Sequence, residues 1–491
     1  MRPLRRLTFI LDGEVVSPEF GAGSGLRPTT TVLEYLRARP DRRGTKEGCA
    51  EGDCGACTVV LGEPGGDGRL RYRAVDSCLV FLPMLHGRQL VTVENLRDGR
   101  GALHPVQRAM VDHHGSQCGF CTPGIVMTLF ALYHSRSAWT REEATRALSG
   151  NLCRCTGYRS ILDAAMEAQA LAPADEFDAD EPRVLARLGA IPDGSLELEA
   201  FGQRYRRPAT LAEALAMRRE VPDAVLVSGA TDVALRVTKG YETLAEVLDL
   251  SGVAELRAFE STAEGCVIGA GLPLADLLPR VTESHPALAE MIRWFGSGQI
   301  RNLATLGGNL GTASPIGDTL PVLIACGARV RVAGPAGMRE VTVEAFLTGY
   351  RTNACRADEL IAAVVLPRAG AGEVVRAYKI SRRRELDIST VTGAFRLARD
   401  PGGTVREVVL AFGGMAETAR RAPRAEAALL GRPWARAGVE QAMARVDEDF
   451  SPISDTRGGA EARRLVARNL LLRFWSDTAG EGAPAGVGAA R

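Results

Sequence analysis

In residues 4–16 apolar clusters lie on either side of a polar break at Asp12-Gly13, and this succession of strand, turn and strand predicts a β-hairpin. At Thr31-Val32-Leu33-Glu34-Tyr35-Leu36-Arg37 the pattern becomes that of a short helix with Thr31 at its start. Strand character returns at residues 58–61, 70–73 and 89–93. From about residue 103 the periodicity is helical. One helix begins at His104-Pro105, a second runs to about Tyr133, a third covers about 141–148 and stops at Gly150, and a fourth ends near Ala170. Pro123 suits the first turn of the second helix, where its missing N–H is not needed. Residues 171–200 are acidic, contain Pro173 and Pro182 and are weakly apolar, which predicts a linker over at least part of them. A third region opens near Phe201, with a capped helix start at 208–215 and a strand at 224–227. Strands at 390–397 and 405–412 and helices at about 421–430 and 460–474 make the region from 376 to 475 α+β, and the tail after Trp475 is expected to be disordered.

The length of 491 residues suits three or four domains, and 46% hydrophobic content is ample for several cores. A formal net charge of +1 provides no global field for nucleic acid or a membrane surface. The best apolar run, 125–133, is far too short to span a bilayer. The basic N-terminus is followed by an apolar run that breaks at Asp12-Gly13, too soon for a signal peptide, so a cytoplasmic protein is expected. Cysteine placement changes the picture most. Eight of the eleven lie before residue 156, while Cys266, Cys326 and Cys355 are scattered singly and read as small buried hydrophobes. In a large chain of this kind, metal ligation is favoured over disulfides.

Cys49, Cys54 and Cys57 read C-x4-C-x2-C, and Cys78 follows about twenty residues on. This is the plant-type spacing for a [2Fe–2S] cluster held by thiolates. Gly48, Gly52 and Gly55 let the loop take positive φ and bring backbone N–H groups toward anionic sulfur. Structural zinc is the competing reading, but zinc sites usually complete one C-x2-C pair with a second short pair. Strands around one helix with such a loop form a ferredoxin-type β-grasp arrangement. Cys118-x2-Cys121 and Cys153-x-Cys155 make a second set at helix ends. Taken alone, this set also suits zinc with four thiolates. Beside the first set a second [2Fe–2S] centre is the better assignment, with helix N-termini offsetting its negative charge.

Two stretches of small residues follow strands or turns: Ser228-Gly229-Ala230-Thr231-Asp232, and residues 304–315 leading to Asp318. Loops with several free N–H groups form anion nests suited to a pyrophosphate, although most such loops are only turns. The closest approach to G-x-G-x-x-G, at Gly480-Glu481-Gly482, lies in the Gly/Ala/Pro tail with no strand before it, which argues against a Rossmann domain.

The strings E-G-C-x-E-G-D-C-G-A-C-T at 47–58, Q-C-G-F-C-T-P-G at 117–124 and N-L-C-R-C-T-G-Y at 151–158 resemble the iron–sulfur part of the molybdenum hydroxylases. The resemblance covers essentially the whole folded chain. It implies an α+β multidomain protein with a plant-type [2Fe–2S] ferredoxin-like β-grasp domain at 1–92, an all-α four-helix [2Fe–2S] domain at 93–170 and a linker at 171–200. An α+β, non-Rossmann FAD-binding domain at 201–372, an α+β flavoprotein C-terminal domain at 373–478 and a tail at 479–491 would complete it. By the same resemblance, Leu226, Val227, Ser228, Gly229, Ala230, Thr231, Asp232 and Val233 would form one pyrophosphate loop of FAD. Thr305, Leu306, Gly307, Gly308 and Asn309 would form the other, with Asp318, Phe295, Ile361 and Lys379 as further contacts. Ala230 stands where relatives often carry Asn, so one side-chain hydrogen bond to the cofactor is missing.

The implied role is electron transfer. Electrons from a molybdenum cofactor on a large partner subunit, with Gln117 beside it, would pass through the cluster of Cys118, Cys121, Cys153 and Cys155. They would continue through that of Cys49, Cys54, Cys57 and Cys78 and then FAD to NAD, as hypoxanthine or xanthine is oxidised to urate. A heterotetramer of two heterodimers is expected, with no catalytic residue for hydroxylation here, and neither nucleic acid nor membrane as partner. The loop from Arg382 to Asp387 is the candidate for controlling access of the acceptor. An electron-transfer subunit for an aldehyde or N-heterocycle hydroxylase and a zinc-binding scaffold are the alternatives.

Overall fold

The structure, a computed structural model, describes residues 3–135, 137–171, 175–383 and 385–479. They fall into two units. The first comprises the described residues up to 256 with 273–275 and 296–305, and the second 257–272, 276–295 and the described residues from 306 to 479.

In the first unit, strands Glu14–Val16, Phe9–Leu11, Gln89–Val91, Thr58–Pro64 and Leu70–Asp76 lie in that order in one sheet. The hairpin forms at Asp12-Gly13 as expected, with Leu11 opposite Glu14. Gln89–Val91 runs parallel to Phe9–Leu11 and antiparallel to Thr58–Pro64. The sheet is buried on both faces, and the period of two distributes its side chains. Phe9, Leu11, Val59, Leu61, Val75 and Leu90 join one core with Leu33 and Leu36 of helix Val32–Arg37. Ile10, Val60, Tyr72, Ala74 and Val91 join a second core with the helices downstream. That helix starts in a capping box: Glu34 N–H donates to Thr31 Oγ1, and Thr31 N–H donates to the Glu34 carboxylate.

Four helices follow, Pro105–Asp112, Thr122–Tyr133, Arg141–Ala147 and Arg159–Ala170. Thr140 and Glu143 cap the third in the same reciprocal way. The stretch expected to be a linker contains strand Leu196–Ala200 and a further helix, Glu176–Gly189. Its acidic composition and the internal Pro182 hide it from periodicity, yet Asp175 caps it and Val184 and Leu188 reach the second core. Glu181 accepts from Arg69 Nε at 3.1 Å and Leu70 N–H at 3.2 Å, which pays for its burial with hydrogen bonds. A four-stranded sheet in the order Leu196–Ala200, Gln203–Arg207, Glu246–Asp249, Val225–Val227 completes the unit.

The second unit holds an antiparallel sheet ordered Phe259–Ser261, Gly265–Gly269, Leu360–Pro367, Arg329–Gly334, Gly337–Thr342. A second sheet contains Glu373–Ile380, Val391–Arg399, Val405–Gly413 and Arg420–Arg421. Helices Pro423–Leu429, Arg436–Asp449 and Ala460–Thr478 share the core of this second sheet with Phe395, Leu410 and Phe412. Helix Arg436–Asp449 was not anticipated, because Ala435 provides no side-chain cap and only Val439, Ala442 and Val446 are buried on it. Among the described residues no helix is long and apolar enough to cross a membrane. The tail after Trp475 was expected to be disordered, but helix Ala460–Thr478 continues through Ser476, Asp477 and Thr478, and residues 480–491 lie outside the described residues.

Candidate metal centres and cofactor loops

Strand register builds the first cysteine site. Thr58 pairs with Asp76, so Cys57, just before one strand, meets Cys78, just after the other, with the two Sγ atoms 3.4 Å apart. Cys49 and Cys54 lie on the preceding loop, which takes left-handed turns at Ala50 (φ +56°), Gly52 (+77°) and Gly55 (+63°). Those turns aim N–H groups at sulfur. Cys49 Sγ accepts from Glu51 N–H at 3.4 Å and Asp53 N–H at 3.2 Å, and Cys54 Sγ accepts from Cys49 N–H at 3.4 Å. The Cys54 thiol beside it, helped by these N–H groups and opposed by burial, brings Cys49 down to about 5. The same contact, with burial, pushes the Cys54 thiol up, and contact with Cys78, with burial, pushes Cys57 up, so of these three only Cys49 is drawn toward thiolate, the form that binds metal.

The second set brackets helices. Cys118 and Cys121 precede helix Thr122–Tyr133, and Cys153 and Cys155 precede helix Arg159–Ala170. Folding places Cys121 against Cys153 and Cys118 against Cys155. Burial pushes the Cys121 thiol up to about 12, with the neighbouring Cys153 adding to the rise. Tyr158, in a left-handed conformation (φ +68°), fastens the second loop: its hydroxyl accepts from Cys153 N–H at 2.7 Å and donates to Asn151 O at 3.1 Å. Cys118, Cys155 and Gln117 are exposed, as are Phe120 and Leu152 beside them. Both sets thus offer only thiol ligands in preformed loops, a donor chemistry that fits an iron–sulfur cluster.

In the first unit, Leu226 and Val227 end strand Val225–Val227, residues 228–232 turn, and Val233 opens helix Val233–Thr238. Gly229 is required by proximity, since a Cβ there would lie 1.9 Å from the Leu303 carbonyl oxygen. Ala230 is buried with φ +60°, a conformation in which Asn is far commoner than Ala. Among the described residues, no protein group accepts from the backbone N–H of Gly229, Ala230 or Thr231. Thr305 joins them, its hydroxyl 3.3 Å from that of Ser228. This is the geometry of an anion nest, and it fits a pyrophosphate.

In the second unit, residues 306–309 form the first turn of helix Leu306–Thr312. Gly307 donates to Ala270 O at 3.0 Å, and a Cβ on it would lie 2.5 Å from that oxygen. Asn309 accepts from the Thr319 hydroxyl. Asp318 and Lys379, 61 residues apart, meet at 2.8 Å with side chains 8% and 3% exposed. Lys379 also donates to Trp294 O at 2.8 Å, so it is a buried, paired cation and not part of a solvated face. Ser389 and Thr392 donate to the other Asp318 oxygen at 2.5 and 3.0 Å. No sequence signal pointed to these two hydroxyls. Phe295 follows Trp294 and is half-buried, and Ile361 is half-buried on strand Leu360–Pro367. In the candidate acceptor loop, Arg382 donates to Thr456 O at 2.6 Å and Arg383 pairs with Asp387, while Arg384 lies outside the described residues.

Three family models match the chain. They are an FAD binding domain in molybdopterin dehydrogenase at 199–369, a [2Fe-2S] binding domain at 92–166 and a CO dehydrogenase flavoprotein C-terminal domain at 376–478. Xanthine dehydrogenase/oxidase of Mus musculus is 32% identical over 91% of the chain, and the chain spans 37% of that relative's length. Among solved structures, a carbon monoxide dehydrogenase from Hydrogenophaga pseudoflava that lacks the Mo-pyranopterin moiety of its cofactor matches with TM-score 0.52 and 29% identity. The match covers 54% of this chain and 93% of that one. Quinoline 2-oxidoreductase from Pseudomonas putida 86 matches with TM-score 0.51 and 25% identity, over 56% of this chain and 95% of that one.

Proposed function

From the premise that this chain belongs to the FAD and iron–sulfur molybdenum hydroxylase family, we propose that it is the electron-transfer subunit of a xanthine dehydrogenase. In this reading a large partner subunit binds the molybdenum cofactor and oxidises hypoxanthine and xanthine to urate, and NAD is the final acceptor. The assembly would be a heterotetramer of two heterodimers in the cytoplasm. The observation that carries the reading is the gathering of eight cysteines, scattered over 107 positions, into two thiol sets in preformed loops. When bound, iron–sulfur centres move single electrons, and a flavin exchanges them for hydride.

The chain's own residues would do the holding. Cys49, Cys54, Cys57 and Cys78 would ligate one cluster, and Cys118, Cys121, Cys153 and Cys155 the other. In the first unit Gly229 and the N–H groups beside it would receive phosphate oxygens, with Thr305, and in the second unit Gly307 to Asn309 would contact FAD. Asp318 and Lys379 hold one another, and Lys379 in turn holds the Trp294 carbonyl beside Phe295, the residue assigned to the flavin ring. The domain limits of 1–92, 93–170, 201–372 and 373–478 are part of the proposal, with the chain between 171 and 200 now including a helix.

A second reading, the corresponding subunit of an N-heterocycle hydroxylase, is favoured by the likeness to quinoline 2-oxidoreductase. The test is a visible spectrum of the purified chain, iron and flavin analysis, and anaerobic addition of NADH. Flavin and iron–sulfur bands that bleach support the proposal. Bands that NADH leaves unchanged would remove NAD as acceptor, and zinc without iron would overturn it. Assay of the assembled complex on xanthine and quinoline separates the two readings.

A further inference from the structure

One buried amide joins the two cysteine loops. Asn151, 2% exposed, stands two residues before Cys153. Its Nδ2 donates to Gly55 O at 3.1 Å and Thr58 Oγ1 at 3.2 Å, and Gly55 lies between Cys54 and Cys57. Its Oδ1 accepts from Thr128 Oγ1 at 2.7 Å and Gln299 Nε2 at 3.0 Å. Every hydrogen-bonding capacity of the amide is used, and its orientation is determined because the Gly55 carbonyl can only accept. Gln299, 1% exposed, also donates to Thr128 Oγ1 at 3.0 Å. Thr128 belongs to helix Thr122–Tyr133, which begins directly after Cys121.

The same junction carries a backbone bridge. Leu152 N–H donates to Cys54 O at 2.9 Å. Cys54, the acceptor, and Cys153, next to the donor, belong to different sets, so the backbone also links the two ligand loops, alongside the Asn151 amide. Three glycines permit the approach. A Cβ on Gly55 would lie 2.2 Å from Gly150 O, one on Gly124 2.1 Å from Gly55 O, and one on Gly150 2.3 Å from Gln299 Oε1.

We propose that Asn151 and Gln299 are positioning residues that hold the two cluster loops in register across the Cys54–Leu152 hydrogen bond, and so set the coupling between the two centres. Neither touches a sulfur. The Asn151 amide is fully paired, and Gln299 contributes through Nε2 while its Oε1 is buried without a partner. Removing either residue leaves further buried groups unpaired, and the loops part. The proposal rests on both cysteine sets carrying clusters.

The test uses the full chain loaded with iron and reduced by dithionite. Asn151→Ala and Gln299→Met are compared with the unaltered protein by iron analysis, by the splitting of each cluster's electron paramagnetic resonance signal by the other, and by hydrogen exchange at Leu152 N–H. The expected result is retained iron, diminished splitting and faster Leu152 exchange in both variants, with Asn151→Gln, which keeps the amide, falling between. Where Asn151→Ala loses iron, Gln299→Met decides, since its residue lies outside both ligand loops. Undiminished splitting in a variant that keeps its iron overturns the proposal, whatever its exchange rate. Iron below about four atoms per chain in the unaltered protein instead refutes the two-cluster reading on which the proposal rests.

Discussion

Replacement of Asp175 by Ala tests how the helical part of the first unit is held. Asp175 Oδ2 accepts from His104 Nε2 at 2.7 Å and His134 Nε2 at 3.0 Å, and Oδ1 accepts from Asp178 N–H at 3.0 Å. His104 Nδ1 accepts from Val106 N–H at 3.2 Å, so in the neutral ring its one proton sits on Nε2 and points at the carboxylate. The imidazoles are 3% and 1% exposed and packed among Phe130, Tyr133 and Phe177. Asp175→Ala therefore removes a helix cap, at about 1 kcal/mol. It also leaves two buried N–H donors without an acceptor, at about 1–3 kcal/mol each. The expected loss is about 3–7 kcal/mol in local stability, read by native-state hydrogen exchange in helices Glu176–Gly189 and Thr122–Tyr133. Asp175→Asn, which still caps, should lose less. A loss below about 1 kcal/mol would refute the reasoning, because it would mean the imidazoles find other partners without cost.

The same group sets an acid limit. Burial favours the neutral acid, but the hydrogen bonds from His104 and His134 outweigh it and hold the Asp175 carboxyl below its ordinary range. A depressed carboxyl contributes stability that is complete above its unfolded value of about 4 and is lost as pH falls through the folded one. Protection of helix Glu176–Gly189 should decline below about pH 4, and less steeply in Asp175→Asn.

Four further outcomes are expected. Gly229→Ala drives a methyl into the Leu303 carbonyl and should cost about 1–3 kcal/mol and reduce bound flavin, measured by thermal unfolding and the flavin-to-protein ratio. Ala230→Gly relieves a left-handed alanine and should gain about 1 kcal/mol; no gain would contradict the strain at φ +60°. Cys118→Ser should lower iron from about four to about two atoms per chain, and full retention would remove that residue from the ligand set. Lys379→Met should destabilise by about 3–5 kcal/mol because Asp318 stays buried without its cation, and adding Asp318→Asn should recover part of the loss in a double-mutant cycle.

Much of what is local was legible in the chain alone. The C-x4-C-x2-C spacing, the caps at Thr31 and Thr210, and helix Thr122–Tyr133 all depend on residues within a few positions of one another. Sequence order therefore specifies their chemistry. Helix Glu176–Gly189 was not legible, because its stability comes from Asp175, Glu181 and Leu188 meeting distant groups, against an acidic stretch interrupted by proline.

Only the tertiary structure decided which distant polar groups share a buried space. Asn151 meets Gly55 across 96 residues and Gln299 across 148, and Asp318 meets Thr392 across 74. Each of these side chains, read alone, is an ordinary surface-forming residue. Strand register and helix packing remove them from water, and once there each must find a partner or carry a desolvation cost. The sequence by itself determined which cysteines make up the two proposed ligand sets. The fold determined that the two ligand loops touch, because contact between them is fixed by glycine clearances and a shared amide, which no spacing along the chain encodes.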